Sequence, residues 1–181
     1  ISADGRYVVF NSFATNLVAG DTNAKRDIFL YDRDAKAISM VSRASDGGLP
    51  NNSSDSPAIS AEGRYVVFNS TATNLVAGLT VTGQQIYRTD RQTGATVLVS
   101  VAANGSGANQ SCDNPSISVD GRFVAFSTTA SNLTDGIEAG NTKTQIYLRD
   151  LASGTTILVS KNADGIAGDD ACNSPKISPD G

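Results

Sequence analysis

Ile59-Ser60-Ala61-Glu62-Gly63-Arg64-Tyr65-Val66-Val67-Phe68 is the middle one of three copies of the same sentence. Ile1-Ser2-Ala3-Asp4-Gly5-Arg6-Tyr7-Val8-Val9-Phe10 precedes it, and Ile117-Ser118-Val119-Asp120-Gly121-Arg122-Phe123-Val124-Ala125-Phe126 follows. A fourth copy begins at Ile177-Ser178-Pro179-Asp180-Gly181. The spacings are 58, 58 and 60 residues, and self-similarity at a fixed period marks a repeat architecture. The register extends well beyond the quoted stretch. Asn16-Leu17 returns as Asn74-Leu75 and Asn132-Leu133, Val41-Ser42 as Val99-Ser100 and Val159-Ser160, and Pro57 as Pro115 and Pro175. Asp27-Ile28-Phe29 corresponds to Gln85-Ile86-Tyr87 and Gln145-Ile146-Tyr147, so the two extra residues of the third copy lie between Leu133 and Gln145.

Each unit reads as four short strands, in the first copy 7–12, 28–32, 37–42 and 57–60, rich in Val, Ile, Tyr and Phe and bounded by Gly, Asp, Asn or Pro. Tyr7-Val8-Val9-Phe10 is apolar without alternation, so both faces of that strand are covered. A sheet covered on both sides by copies of itself is what radial stacking produces. The expected fold is therefore all-β, a β-propeller whose three four-stranded blades form an arc of a larger or oligomer-completed ring. The repeats run 1–58, 59–116 and 117–176, within one partial propeller domain of 1–181. Phe10, Phe68 and Phe126 are expected between the sheets.

The pattern Pro-x-Ile-Ser-x-Asp-Gly-Arg-Tyr-Val-x-Phe, then Ile-Tyr/Phe-x-x-Asp, then a strand ending in Val-Ser, resembles the TolB-like propeller repeats, relatives of WD repeats, over the whole chain. The resemblance implies a strand order in which 57–60 is innermost, 65–70 second, 86–90 third and 95–100 outermost. The long connections 13–26, 71–84 and 127–144 then emerge on the same face as 43–56, 101–114 and 161–174. The resemblance also implies a bacterial, extracytoplasmic setting (secreted, periplasmic or cell-surface) but is not specific for function. The acidic composition, the long polar loops on one face and the lack of a nucleophile–base pair point to binding. Two functions stay open. One is a non-catalytic binding or scaffold module that meets a protein or glycan on its long-loop face. The other is the accessory propeller of a secreted hydrolase or lyase whose catalytic residues lie elsewhere. The partners expected besides the ligand are further blades of the same chain or homo-oligomer copies, since propellers close with four to eight blades.

Composition excludes several classes. With 14 Lys and Arg against 18 Asp and Glu, the net charge of −4 lacks the basic footprint that nucleic acids and anionic membranes need. No histidine occurs, so neither a Ser-His-Asp triad nor a His-ligated metal can be built from this chain alone. No apolar run is long enough to insert across a membrane. The start at Ile1 reads as that of a processed product or a piece of something longer.

The candidate site residues are few. Asp4, Glu62, Asp120 and Asp180 each precede a Gly between strands, which is turn chemistry: the carboxylate meets nearby backbone N–H groups. Arg6, Arg64 and Arg122 are matched by Asp32, Asp90 and Asp150 as blade staples. Asp21, Asn23 and Asp27 place oxygens at positions 1, 3 and 7 of an incomplete calcium-loop pattern, open to Ca²⁺ or to a loop that caps itself. The second copy has Leu79, Val81 and Gln85 there. No other cofactor is expected. Cys112 and Cys172 share one repeat position, where Ser54 stands in the first copy. At an axial radius of ~7 Å equivalent residues of adjacent blades come within disulfide range, and at ~10 Å they do not, so a disulfide and two separate thiols both stay open.

Overall fold

The computed structural model describes residues 1–134, 141–178 and 181. They form eleven strands in three antiparallel sheets. The first sheet has β1 (Tyr7–Ser12), β2 (Asp27–Asp32) and β3 (Ala37–Met40). The second has β4 (Ser54–Ile59), β5 (Tyr65–Ser70), β6 (Gln85–Asp90) and β7 (Thr96–Leu98). The third has β8 (Cys112–Ile117), β9 (Phe123–Thr128), β10 (Gln145–Asp150) and β11 (Thr155–Leu158). Strands neighbour one another in chain order within every sheet, as an up-and-down blade requires. The first blade has three strands. Ile1-Ser2, before its first turn, are the register equivalents of Ile59-Ser60 at the end of β4.

The apolar strands lie between sheets. Val66 and Val67, adjacent on β5, are both fully buried but on opposite faces. Val66 joins Ile28, Leu30 and Val41 of the first blade in one cluster, and Val67 joins Val124, Phe126 and Tyr147 of the third in another. Across the ladder Phe68 faces Tyr87 with ring centroids 6.1 Å apart, and Phe126 lies 6.0 Å from Tyr147. Phe68 and Phe126 are fully buried. Phe10 is only half-buried, because β1 pairs on one side alone, with β2.

The outer strands stop sooner than expected, at Met40 and Leu98, for a local reason. Ser42, Ser100 and Ser160 turn their hydroxyls inward and accept the backbone N–H of Ile28, Ile86 and Ile146 at 3.0, 3.1 and 2.9 Å. The main chain still makes one bond there, from the N–H of Val41, Val99 and Val159 to the carbonyls of the same isoleucines, and the side chain supplies the second. The inner strands start earlier than expected, at Ser54 and Cys112, and each carries a β-bulge, between Asp55 and Ala58 and between Asp113 and Ser116. At the bulges Ser56 and Asn114 have φ of +51° and +53°, a left-handed conformation uncommon for residues with a Cβ.

Candidate functional site

The repeated charges are built into the scaffold. Arg6 grips Asp32 with Nε and Nη2 at 3.0 and 2.8 Å, Arg64 grips Asp90 at 3.1 and 2.7 Å, and Arg122 grips Asp150 at 2.8 and 2.6 Å. These bidentate bonds hold the carboxyl of Asp32 down at about 2 and those of Asp90 and Asp150 below the usual carboxylate range. Asp4 and Asp120 accept the backbone N–H of Arg6 and Arg122 across their turns, both at 2.9 Å. Asp180 lies outside the described residues.

A second set of carboxylates joins the blades. Asp55, at the bulge of β4, accepts Asn11 Nδ2 of the first blade at 2.7 Å and pairs with Arg26. Asp113, at the bulge of β8, accepts Asn69 Nδ2 of the second blade at 3.2 Å and bonds Gln84. Sequence reasoning passed these residues over, although Asn11 and Asn69 stand 58 residues apart, as do Asp55 and Asp113. Beside the bulges, Ser56, Asn114, Ser174 and the prolines that follow line a cleft of about 210 Å³.

The long loops are clasped to one another. Asn51 accepts the backbone N–H of Thr73 at 2.9 Å and donates Nδ2 to Thr73 Oγ1 at 2.8 Å, while Asn74 donates to the Leu49 carbonyl at 3.0 Å. One repeat on, Asn109 accepts the Ser131 N–H at 3.0 Å and Asn132 donates to the Gly107 carbonyl at 3.1 Å. Loop 43–56 thereby lies against loop 71–84, and loop 101–114 against the described part of loop 127–144. The Asn-Leu pairs of the second and third copies find their use here: Asn74 and Asn132 clasp, and Leu75 and Leu133 are buried beneath. A cleft of about 440 Å³ opens beside the second clasp, lined by Ala102, Leu133, Thr134 and the half-buried Arg149 among others.

Asp21, Asn23 and Asp27 are gathered in the first blade, with Asp21 and Asp27 buried. Asn23 turns its nitrogen rather than its oxygen to Asp27: Nδ2 donates to Asp27 Oδ2 at 3.0 Å and to the Pro50 carbonyl at 3.2 Å, while Oδ1 accepts the Lys25 N–H at 2.8 Å. Asp27 Oδ1 accepts the Ser42 hydroxyl at 3.0 Å. Burial pushes the Asp27 carboxyl up, against the two hydrogen bonds.

The cysteines occupy equivalent positions but remain apart as free thiols, so the disulfide expected as one alternative is not formed. Cys112 is fully buried in the cluster that holds Val99 and Ala108, with Sγ 3.6 Å from the Gln110 carbonyl. Burial pushes its thiol up to about 12. Cys172 is half-buried against its own loop, Sγ lying 3.8 Å from the Asp170 carbonyl and 3.6 Å from where a Cβ on Gly168 would stand. Cys112 is thus enclosed between the second and third blades, in the cluster with Val67, Ile86 and Val99, while Cys172 lies beside Gly168 of its own loop.

Solved structures share this arrangement of sheets. A TolB-type protein from Agrobacterium tumefaciens superposes with a TM-score of 0.55 at 17% identity, over 87% of this chain and 46% of its own. TolB from Acinetobacter baumannii does so with a TM-score of 0.51 at 16% identity, over 88% of this chain and 31% of its own. The fold is a TolB-like β-propeller. The same TolB-like blades also superpose on Porphyromonas gingivalis dipeptidyl peptidase 4, with a TM-score of 0.53 at 16% identity over 91% of this chain and 25% of that one. The chain thus spans less than half the length of each of these proteins. No family model and no curated protein sequence matches it.

Proposed function

We propose that this TolB-like propeller is a non-catalytic binding module of a bacterial extracytoplasmic protein, meeting a protein or glycan ligand on its long-loop face. The observation that carries this reading is the clasping of the loops. Asn51, Asn74, Asn109 and Asn132 fix loops of different strands to one another, while Phe13 and most of the polar tips between them stay exposed. A surface held rigid before contact binds without losing loop entropy at that moment. The repeated Arg–Asp pairs, by contrast, are engaged inside each blade. Further blades or a second copy of the chain complete the ring in this reading.

The test is a peptide and glycan array probed with the chain. The expected hits are weakened by Phe13→Ala on the loop face and left unchanged by Arg33→Ala at the opposite, short-turn end. Hits sensitive only to Arg33 would move the binding surface. The likeness to dipeptidyl peptidase 4 favours a second reading, an accessory propeller of a secreted hydrolase or lyase. Peptide turnover by the complete protein, abolished by substitutions outside these 181 residues, would select it.

A further inference from the structure

Residue 27 holds a position that the other two blades fill with glutamine. Gln85 donates Nε2 to the carbonyls of Thr82 and Ala108 at 2.8 and 3.0 Å, and its Oε1 accepts Ser100 Oγ at 2.7 Å. Gln145 repeats this with Gly168 and Ser160 at 2.8 and 2.6 Å. A neutral amide therefore supplies both a donor and an acceptor to the loop that leads to the next blade. In the first blade the carboxylate of Asp27 can only accept, and the missing donor comes from Asn23, whose Nδ2 reaches the Pro50 carbonyl in place of Gln85 Nε2. This exchange explains Asn23, but it puts a negative charge at a fully buried position.

Asp21 adds a second one. It is 6% exposed, and its Oδ1 is buried without a hydrogen-bond partner. Its charge acts on Asp27. The second blade has Leu79 at this position, packed against the core between the first two blades. A carboxylate thus takes the place of an apolar side chain, next to another carboxylate, and neither forms an ion pair among the described residues. Arg43 is the one cation whose charge reaches Asp27, and it forms no ion pair with either carboxylate among the described residues. Two buried carboxylates so weakly compensated are costly, and a bound cation is a standard way to compensate them.

We propose that Asp21 and Asp27 hold a hard divalent cation, Ca²⁺ by preference, in the first blade, at a position where the second blade has Leu79 and Gln85. Asp21 Oδ1 and the Asp27 carboxylate are the ligands. Asn23 is a positioning residue, because its amide nitrogen faces Asp27 and fixes that carboxylate to the loop. Ca²⁺ takes 6–8 oxygens and tolerates irregular geometry, whereas Mg²⁺ demands a near-ideal octahedron. Two carboxylates leave much of the shell to other oxygens, which places the affinity in the range of extracellular calcium modules, a Kd of about 10⁻⁴–10⁻³ M.

Calorimetric titration of the chelator-treated chain at neutral pH, paired with thermal unfolding, tests the site. Millimolar Ca²⁺ is expected to give a saturable heat with one site per chain and to raise Tm by several degrees, and Mg²⁺ to do less. Asp27→Gln and Asp21→Leu copy the second blade, so each variant is expected to unfold no lower than the metal-free chain and to lose the response to Ca²⁺. Absence of a heat in the unaltered chain at millimolar Ca²⁺ overturns the site. So does a response that survives in either folded variant.

Discussion

The ring of Tyr7 occupies the space that a side chain on Gly63 would need: a Cβ there would stand 2.2 Å from Tyr7 Cδ2. Tyr65 covers Gly121 and Phe123 covers Gly181 in the same way, at 2.1 and 2.4 Å. Each blade rests an aromatic on the turn of the next, and Arg91 lies over Tyr7, 4.1 Å from its ring centre, as Arg88 lies over Tyr65 at 4.4 Å.

Gly63→Ala separates this contact from simple backbone strain. Gly63 and Gly94 share a φ of +74°, but nothing lies within 4 Å of a Cβ at Gly94. Gly94→Ala is expected to lose only the left-handed penalty, about 1 kcal/mol. Gly63→Ala adds overpacking against Tyr7 and is expected to lose about 3 kcal/mol. Urea unfolding of both variants measures the difference, and equal losses would contradict the inter-blade contact.

Phe68→Ala is expected to cost about 3–5 kcal/mol, since the ring is fully buried against Tyr87. Phe10→Ala, at the equivalent but half-buried position, is expected to cost roughly half as much. The same urea titration ranks them.

The thiols should differ in reactivity. Cys172, half-buried, is expected to react with a thiol reagent in the native chain, whereas Cys112 reacts only as the blade opens, being buried with its thiol pushed up to about 12. Under denaturing, non-reducing conditions two thiols per chain are expected. Finding none would restore the disulfide.

Acid should act through the arginine pairs. Asp32, Asp90 and Asp150 titrate below the ordinary carboxylate value of 3.8, so their contribution is present above that pH and lost as pH falls through the depressed folded values. Asp90→Asn is expected to lower the urea midpoint at pH 7 and to flatten its fall below about pH 4. Asp27 has the opposite sign. Its raised carboxyl contributes stability below 3.8 that is lost as pH rises through the folded value. In chelator, Asp27→Gln should therefore relieve a loss of stability toward neutral pH.

The strands and their staples were legible because one residue type recurs wherever one job recurs, as with Arg64–Asp90 or Val99-Ser100. The start of the inner strands was not. Ser54-Asp55-Ser56 has the composition of a turn, and only the pairing with β5 and the bulge make it a strand. The role of Asn23 was hidden for another reason: a sequence does not show which end of an amide faces Asp27. Cys112 and Cys172 were recognised as equivalent, yet equivalence of position says nothing about the surroundings of the thiols: Cys112 lies in a core cluster between blades and Cys172 beside Gly168 of its own loop.

The aromatic and the glycine that receives it belong to successive copies, 56 residues apart for Tyr7 and Gly63 and for Tyr65 and Gly121, but 58 apart for Phe123 and Gly181. The third copy is two residues longer, and its contact is made all the same. Duplication of a stretch of this gene therefore carries its own fitting at both ends, provided the cut falls one full period apart. Drift in length is tolerated where the extra residues sit, between Leu133 and Gln145, and would be purged between the turn and the strand that follows it. Such a chain can evolve new surfaces by lengthening its loops, one copy at a time, without renegotiating how its blades meet.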